Sequence, residues 1–127
     1  MIKNLDMYFS RYVRWSHADA DGMVKCKTCT TIKHVKEMQN GHFISRRHYS
    51  TRWLYTNCAP QCYGCNINLF TFLFIKFSKY IDKTHGAGTA QHIADRSELS
   101  RKYTDAELKT LAQYYKEKVD ELINKHS

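Results

Sequence analysis

Four cysteines stand in two Cys-x-x-Cys pairs, Cys26 with Cys29 and Cys62 with Cys65. Such a turn presents two thiolates, and two turns complete the four sulfur ligands that a tetrahedral structural zinc prefers. The gap between the pairs, residues 30–61, is longer than in common zinc ribbons and can hold a hairpin of its own. Cys58 is left over and reads as a small buried apolar residue. Around the second pair runs "NGHFISRRHYSTRWLYTNCAPQCYGCN", residues 40–66. It carries His42 after a turn, Asn57 before the pair, Asn66 directly after it, and Arg46, Arg47, His48 and Arg52 between. A zinc knot accounts for the cysteines alone. Histidine exchanges protons near neutrality, a carboxamide oxygen suits a hard cation or a helix N-cap, and arginines hold phosphates.

The balance of charge points the same way. Twenty Lys and Arg face 12 Asp and Glu, a net charge of +8 with a sequence pI of about 9.3. That excess favours an anionic partner, nucleic acid first and an anionic membrane second. The most apolar run, Leu69 to Phe77, is too short to span a bilayer as a helix, and it contains Lys76 with Lys79 just beyond. The opening "MIKNLDMYFSRYVRW" mixes charges into its apolar pattern and does not read as a secretory leader. A soluble, cytoplasmic chain is therefore expected, where reducing conditions favour metal over disulfides.

The 127 residues suit one domain with a helical extension. Leu5 to Trp15 predicts a short amphipathic helix with Leu5, Phe9 and Tyr12 on one face, and "HADADG" at 17–22 a turn. "MVKCKTC" leads extended into the first cysteine pair, and residues 30–40 read as loop. "HFISR" and "TRWLY" are the strand candidates of a hairpin with a basic connection. A helix is expected from Tyr63, apolar on nearly every face between Leu69 and Phe77, and hence buried in a core or between subunits. "HGAG" at 85–88 stops it, and a short helix follows over Thr89 to Asp95. Thr104-Asp105-Ala106-Glu107 is a capping box. Beyond it Leu108, Leu111, Ala112, Tyr115, Val119, Leu122 and Ile123 share one helical face.

The order Cys-x-x-Cys, Gly-His, Asn, Cys-x-x-Cys-Asn resembles the zinc-stapled HNH, or ββα-metal, endonucleases. More narrowly, "CKTC", "NGHFISR", "NCAPQCYGCN", the opening "DMYFSRYVR" and the tail "YTDAELKTLAQYYKEKVDEL" resemble the phage NinG family, whose lambda member is a Holliday-junction endonuclease. The resemblance covers Asp6 to Leu122. It implies an α+β fold: an HNH core over about 22–83, stapled by zinc on Cys26, Cys29, Cys62 and Cys65, with an N-terminal helix and a helical extension over about 87–127. By position, His42 is implied as general base, Asn57 as the residue orienting its loop, and Asn66 as a ligand of a catalytic Mg²⁺ or Mn²⁺. Many HNH members carry a metal-binding aspartate just before the histidine, where this chain has Gly41. His48 is then a candidate additional ligand. Arg46, Arg47 and Arg52 are candidate DNA contacts.

The implied activity is hydrolysis of phosphodiesters in branched recombination DNA, in the host cytoplasm if the chain is phage-encoded, with a homodimer matching two opposed strands. Other readings stay open. A non-catalytic zinc module binding nucleic acid would keep the cysteines and arginines. An HNH nuclease on ordinary duplex DNA would keep the catalytic set. An adaptor would use the Phe-rich helix as its interface. Asn66 can also be read as a helix N-cap and Asn57 as a turn former.

Overall fold

The computed structural model describes residues 1–68 and 70–126. A helix α1 (Ile2–Trp15) opens the chain. The strands β1 (Met23–Lys25) and β2 (Ile32–His34) form a small antiparallel hairpin whose loop holds the first cysteine pair. A second antiparallel pair, β3 (Gln39–His42) and β4 (Cys58–Gln61), encloses a long connection containing the short helix α2 (Tyr49–Arg52) and a 3₁₀ turn over Tyr55–Asn57. After β4 come α3 (Tyr63–Ile67), α4 (Thr71–His85), α5 (Thr89–Ser97) and α6 (Asp105–Lys125). The α+β class is as expected, with six helices and two two-stranded sheets among the described residues.

The terminal helices pack along each other. On α1, Leu5, Phe9 and Val13 are fully buried at helical spacing, and Tyr12 lies at the flank against Tyr55 and Tyr115. On α6 the capping box is formed, Thr104 Oγ1 accepting from Glu107 N–H and Glu107 Oε1 accepting from Thr104 N–H. That closure satisfies two helix-end donors and starts α6 where Leu108 meets α1. Trp53 and Cys58 complete this core, so the hairpin's far face rests on the helix pair.

The hairpin differs from the predicted one. "TRWLY" makes a helical turn and a 3₁₀ turn, and the partner strand is Cys58–Gln61. All four β4 residues are buried, because Cys58 enters the α1–α6 core while Ala59 enters a second core with Phe43, Phe77, Ile81, Ala90 and Ile93. A strand covered on both faces shows no period-2 pattern, so alternation could not reveal it. Pro60 fits because it pairs opposite Asn40 between the ladder bonds, where its missing N–H is not needed, and its carbonyl accepts Lys27 N–H at 3.1 Å. Residues 30–40, expected as loop, supply β2, a 3₁₀ turn and the start of β3.

The Phe-rich helix is divided. Asn68 Oδ1 accepts Phe70 N–H between α3 and α4, and Leu69 lies outside the described residues. Only Leu73, Phe77 and Ile81 of α4 are buried, while Phe70, Phe72, Phe74 and Ile75 stand exposed. The expected all-round burial therefore does not hold within one chain. The terminal helices spend their apolar stripes on each other. Gly86 ends α4 at φ 117°, a conformation that side chains rarely adopt, and Asp82 Oδ1 accepts Ala90 N–H to fold α5 back on α4. No helix among the described residues is long and apolar enough to cross a membrane.

Candidate functional site

Cys26 and Cys29 sit on the β1–β2 loop, Cys62 caps α3 and Cys65 lies one turn into it. Their four sulfurs lie within 4.8 Å of one another, positioned to hold one metal ion. Zinc–sulfur bonds of about 2.3 Å in a tetrahedron place sulfurs about 3.8 Å apart. Cys29 Sγ and Cys62 Sγ are 3.7 Å apart. Val24, Val35, Met38, Trp15 and Ala18 pack around the cluster. Cys58 is elsewhere, 2% exposed in the α1–α6 core, and burial pushes its thiol far above the usual range, so it is inert.

His42 ends β3. Its Nε2 lies 2.9 Å from the carbonyl oxygen of Arg52. A carbonyl only accepts, so Nε2 carries the proton and Nδ1 carries the lone pair. Burial lowers the His42 pKa, against the pull of that carbonyl and with help from the Arg46 charge, so the ring is neutral at neutral pH. Arg52 is held in turn. Its guanidinium meets both oxygens of Asp6 on α1, Nε to Oδ1 at 3.2 Å and Nη2 to Oδ2 at 2.6 Å, and donates to Arg46 O at 3.1 Å. Trp53 Nε1 donates to the same Asp6. Burial alone would raise the Asp6 pKa, but the Arg52 and Trp53 bonds together with the Arg52 charge hold it below the usual value.

Asn57 is fully buried beneath the connection. Its Oδ1 accepts Ile44 N–H at 2.8 Å, and its Nδ2 donates to Ile44 O and Thr51 O, both at 3.1 Å. One side chain thus ties the exit of β3 to the end of α2, the two segments that carry His42 and the carbonyl it bonds. Asn66 lies on α3, where Nδ2 donates to Gln39 Oε1 at 2.6 Å, and Oδ1 has no hydrogen-bond partner among the described residues. Cys62, not Asn66, caps that helix, which removes the N-cap alternative for Asn66.

His42 and Asn66 border two adjoining clefts. One, of about 340 Å³, is walled by Asp6, Ser10 and Arg14 of α1, by Asn40, and by Arg46. The other, of about 160 Å³, is walled by Gln61, Phe70, Leu73, Phe74 and Phe77. Asn40 Oδ1 is buried with no hydrogen-bond partner among the described residues. Arg46 is well exposed at the first cleft, with a side chain 60% accessible. The structure does not bring His48 to either cleft. Its Nδ1 is 3.2 Å from Ser97 O at the end of α5, in a surface hollow shared with Arg47. Arg52, expected to meet DNA, is 12% exposed and engaged with Asp6. It positions His42 through its own carbonyl. Comparison with protein families, with curated proteins and with solved structures gave no match.

The sequence reading missed Asp6, Asn40 and Gln61. Asp6 comes from a helix 36 residues before His42, and no spacing rule links the two. Gln61 stood inside "NCAPQCYGCN", but its place beside Gly41 depends on strand register.

Proposed function

We propose that this chain is a zinc-stapled, HNH-type endonuclease that hydrolyses DNA phosphodiesters with a divalent cation, Mg²⁺ or Mn²⁺. His42 and Asn66 carry the proposal: they border the same clefts where the first hairpin strand ends and the helix after the second strand begins. His42 Nδ1 takes a proton from the attacking water. The Arg52 carbonyl fixes the ring's tautomer and direction. Asn57 keeps that carbonyl and the end of β3 in register. Asn66 Oδ1 would help hold the cation, which would supply charge neutralisation at the phosphate and the leaving oxygen. Exposed Arg46 holds the neighbouring phosphate. Cys26, Cys29, Cys62 and Cys65 would hold the zinc and so staple α3 to the β1–β2 hairpin.

Branched recombination DNA is the proposed substrate on the strength of the NinG-like motifs and the net charge of +8. The test is cleavage of a labelled four-way junction and a matched duplex in parallel, with Mg²⁺ or Mn²⁺, by wild type and His42→Ala. Wild type should cut the junction preferentially. His42→Ala should lose about 10²- to 10⁴-fold in rate while still binding the junction. Full activity in His42→Ala removes His42 as the base, and a wild type that binds without cutting returns the chain to the non-catalytic zinc modules. Equal cutting of duplex makes it an ordinary HNH nuclease.

A further inference from the structure

The register of the β3–β4 hairpin places Gln39, Gly41, Ala59 and Gln61 on one face and Asn40, His42, Cys58 and Pro60 on the other. On the first face the Gln61 side chain lies directly over Gly41. A Cβ added at Gly41 would come within 1.9 Å of Gln61 Oε1 and 2.5 Å of Gln61 Cδ. Position 41 can only be glycine while Gln61 keeps this conformation. The glutamine is held firmly. It is 5% exposed, and its Nε2 donates to Thr28 Oγ1 at 2.9 Å, on the loop of the first cysteine pair. The amide is thereby oriented with Oε1 turned to Gly41. Gln61 and Asn66 line the same cleft of about 160 Å³. The Asn66 amide is oriented in the same manner, its nitrogen spent on Gln39.

We infer that Gln61 Oε1 and Asn66 Oδ1 together form the protein's oxygen ligands for a hard divalent cation. The inference rests on the nuclease reading only for the use of that cation, not for its binding. Two carboxamides with their nitrogens committed line one cleft, and carboxamide oxygens are donors that Mg²⁺ and Mn²⁺ accept. His42 borders the same cleft and, as the proposed base, stands outside this ligand set. Both ligands are neutral. Affinity for such ions rises with the charge of the ligand set, so the site binds weakly alone and is completed by waters and by the phosphate of the substrate.

The test is titration of zinc-loaded protein with Mn²⁺, free ion being read by its magnetic resonance signal, without DNA. Zinc content and a thermal melt check the fold of each variant. Wild type should bind one Mn²⁺ with a Kd on the order of 10⁻⁴ to 10⁻³ M. Gln61→Leu, which keeps the bulk and removes the oxygen, should weaken binding about tenfold or more. Gln61→Glu is nearly isosteric and can accept from a reoriented Thr28 hydroxyl; it should tighten binding by about tenfold. If Gln61→Leu does not fold, the Gln61→Glu arm decides alone. Affinity unchanged or weakened in Gln61→Glu, or no Mn²⁺ bound by wild type, overturns the inference. Junction cleavage by wild type alongside Mn²⁺ binding indifferent to residue 61 sinks this site and leaves the nuclease reading standing. Binding sensitive to residue 61 without any cleavage does the reverse.

Discussion

At the scale of single residues, the candidate site is built from side chains whose other bonds are already spent. Arg52 gives its guanidinium to Asp6 and its carbonyl to His42. Asn57 makes three hydrogen bonds, all to backbone groups. Replacing it by alanine strands Ile44 N–H and two carbonyls beneath the connection, each worth about 1–3 kcal/mol. Asn57→Ala should lose about 2–4 kcal/mol in urea unfolding, and cleavage should fall with it. His17 is the second residue with a measurable signature. It stacks on Tyr55, whose hydroxyl lies 3.2 Å from its Nε2, and faces Lys27 and His85. Burial, then those two charges, lowers its pKa from 6.5 to about 4. The unfolded chain then holds the extra proton between those values, so stability falls as pH falls through that window. The effect should be about 2 kcal/mol after allowance for partial solvent contact. Urea midpoints measured from pH 7 to 4 should slope less in His17→Gln than in wild type, and equal slopes would rule this source out.

At the scale of elements, α4 shows two faces of different worth. Leu73, Phe77 and Ile81 are buried at a four-residue spacing, and Phe77 and Ile81 enter the core with Ala90 and Ile93. Phe70 and Phe72 stack on each other in the open, with Lys76 over Phe72. Phe77→Ala should cost about 3–5 kcal/mol, whereas Phe72→Glu should leave stability within about 0.5 kcal/mol. The exposed aromatic row is the face on which the homodimer expected from the sequence would close. A dimer closed there should sediment as a dimer at micromolar concentration in wild type and as a monomer in Phe72→Glu. A wild type that stays monomeric with and without junction DNA would remove the homodimer matched to two opposed strands.

At the scale of the whole molecule, three small cores meet around one hairpin, and each closes by a different means. The α1–α6 pair closes by apolar area, the α4–α5 pair by area plus the Asp82–Ala90 bond, and the cysteine core by sulfur. Val24, Val35 and Met38 give that last core little apolar bulk. Metal removal should therefore melt β1, β2 and α3 before the terminal helices. Chelation followed by circular dichroism should show partial loss of structure, reversed by about one equivalent of Zn²⁺ per chain. An unchanged spectrum in metal-free protein would remove the structural role. Cys58→Ser should keep the metal.

Where information was local, the sequence sufficed. The capping box of Thr104 and Glu107, the stripe of α1, the two Cys-x-x-Cys turns and the glycine stop after α4 each depend on residues a few positions apart. Their chemistry is set before the chain folds. The hairpin register, the burial of Asn57 and the pairing of Asp6 with Arg52 across 46 residues depend on packing between elements. So does the eviction of His48, which docks on α5 because α2 is clamped there by Ser50 and Arg96. Gly41 is the sharpest case. As a sequence position it marked a missing carboxylate. Only the tertiary structure placed Gln61 over it, because a cross-strand neighbour is chosen by register, and register is decided by which faces the surrounding cores cover.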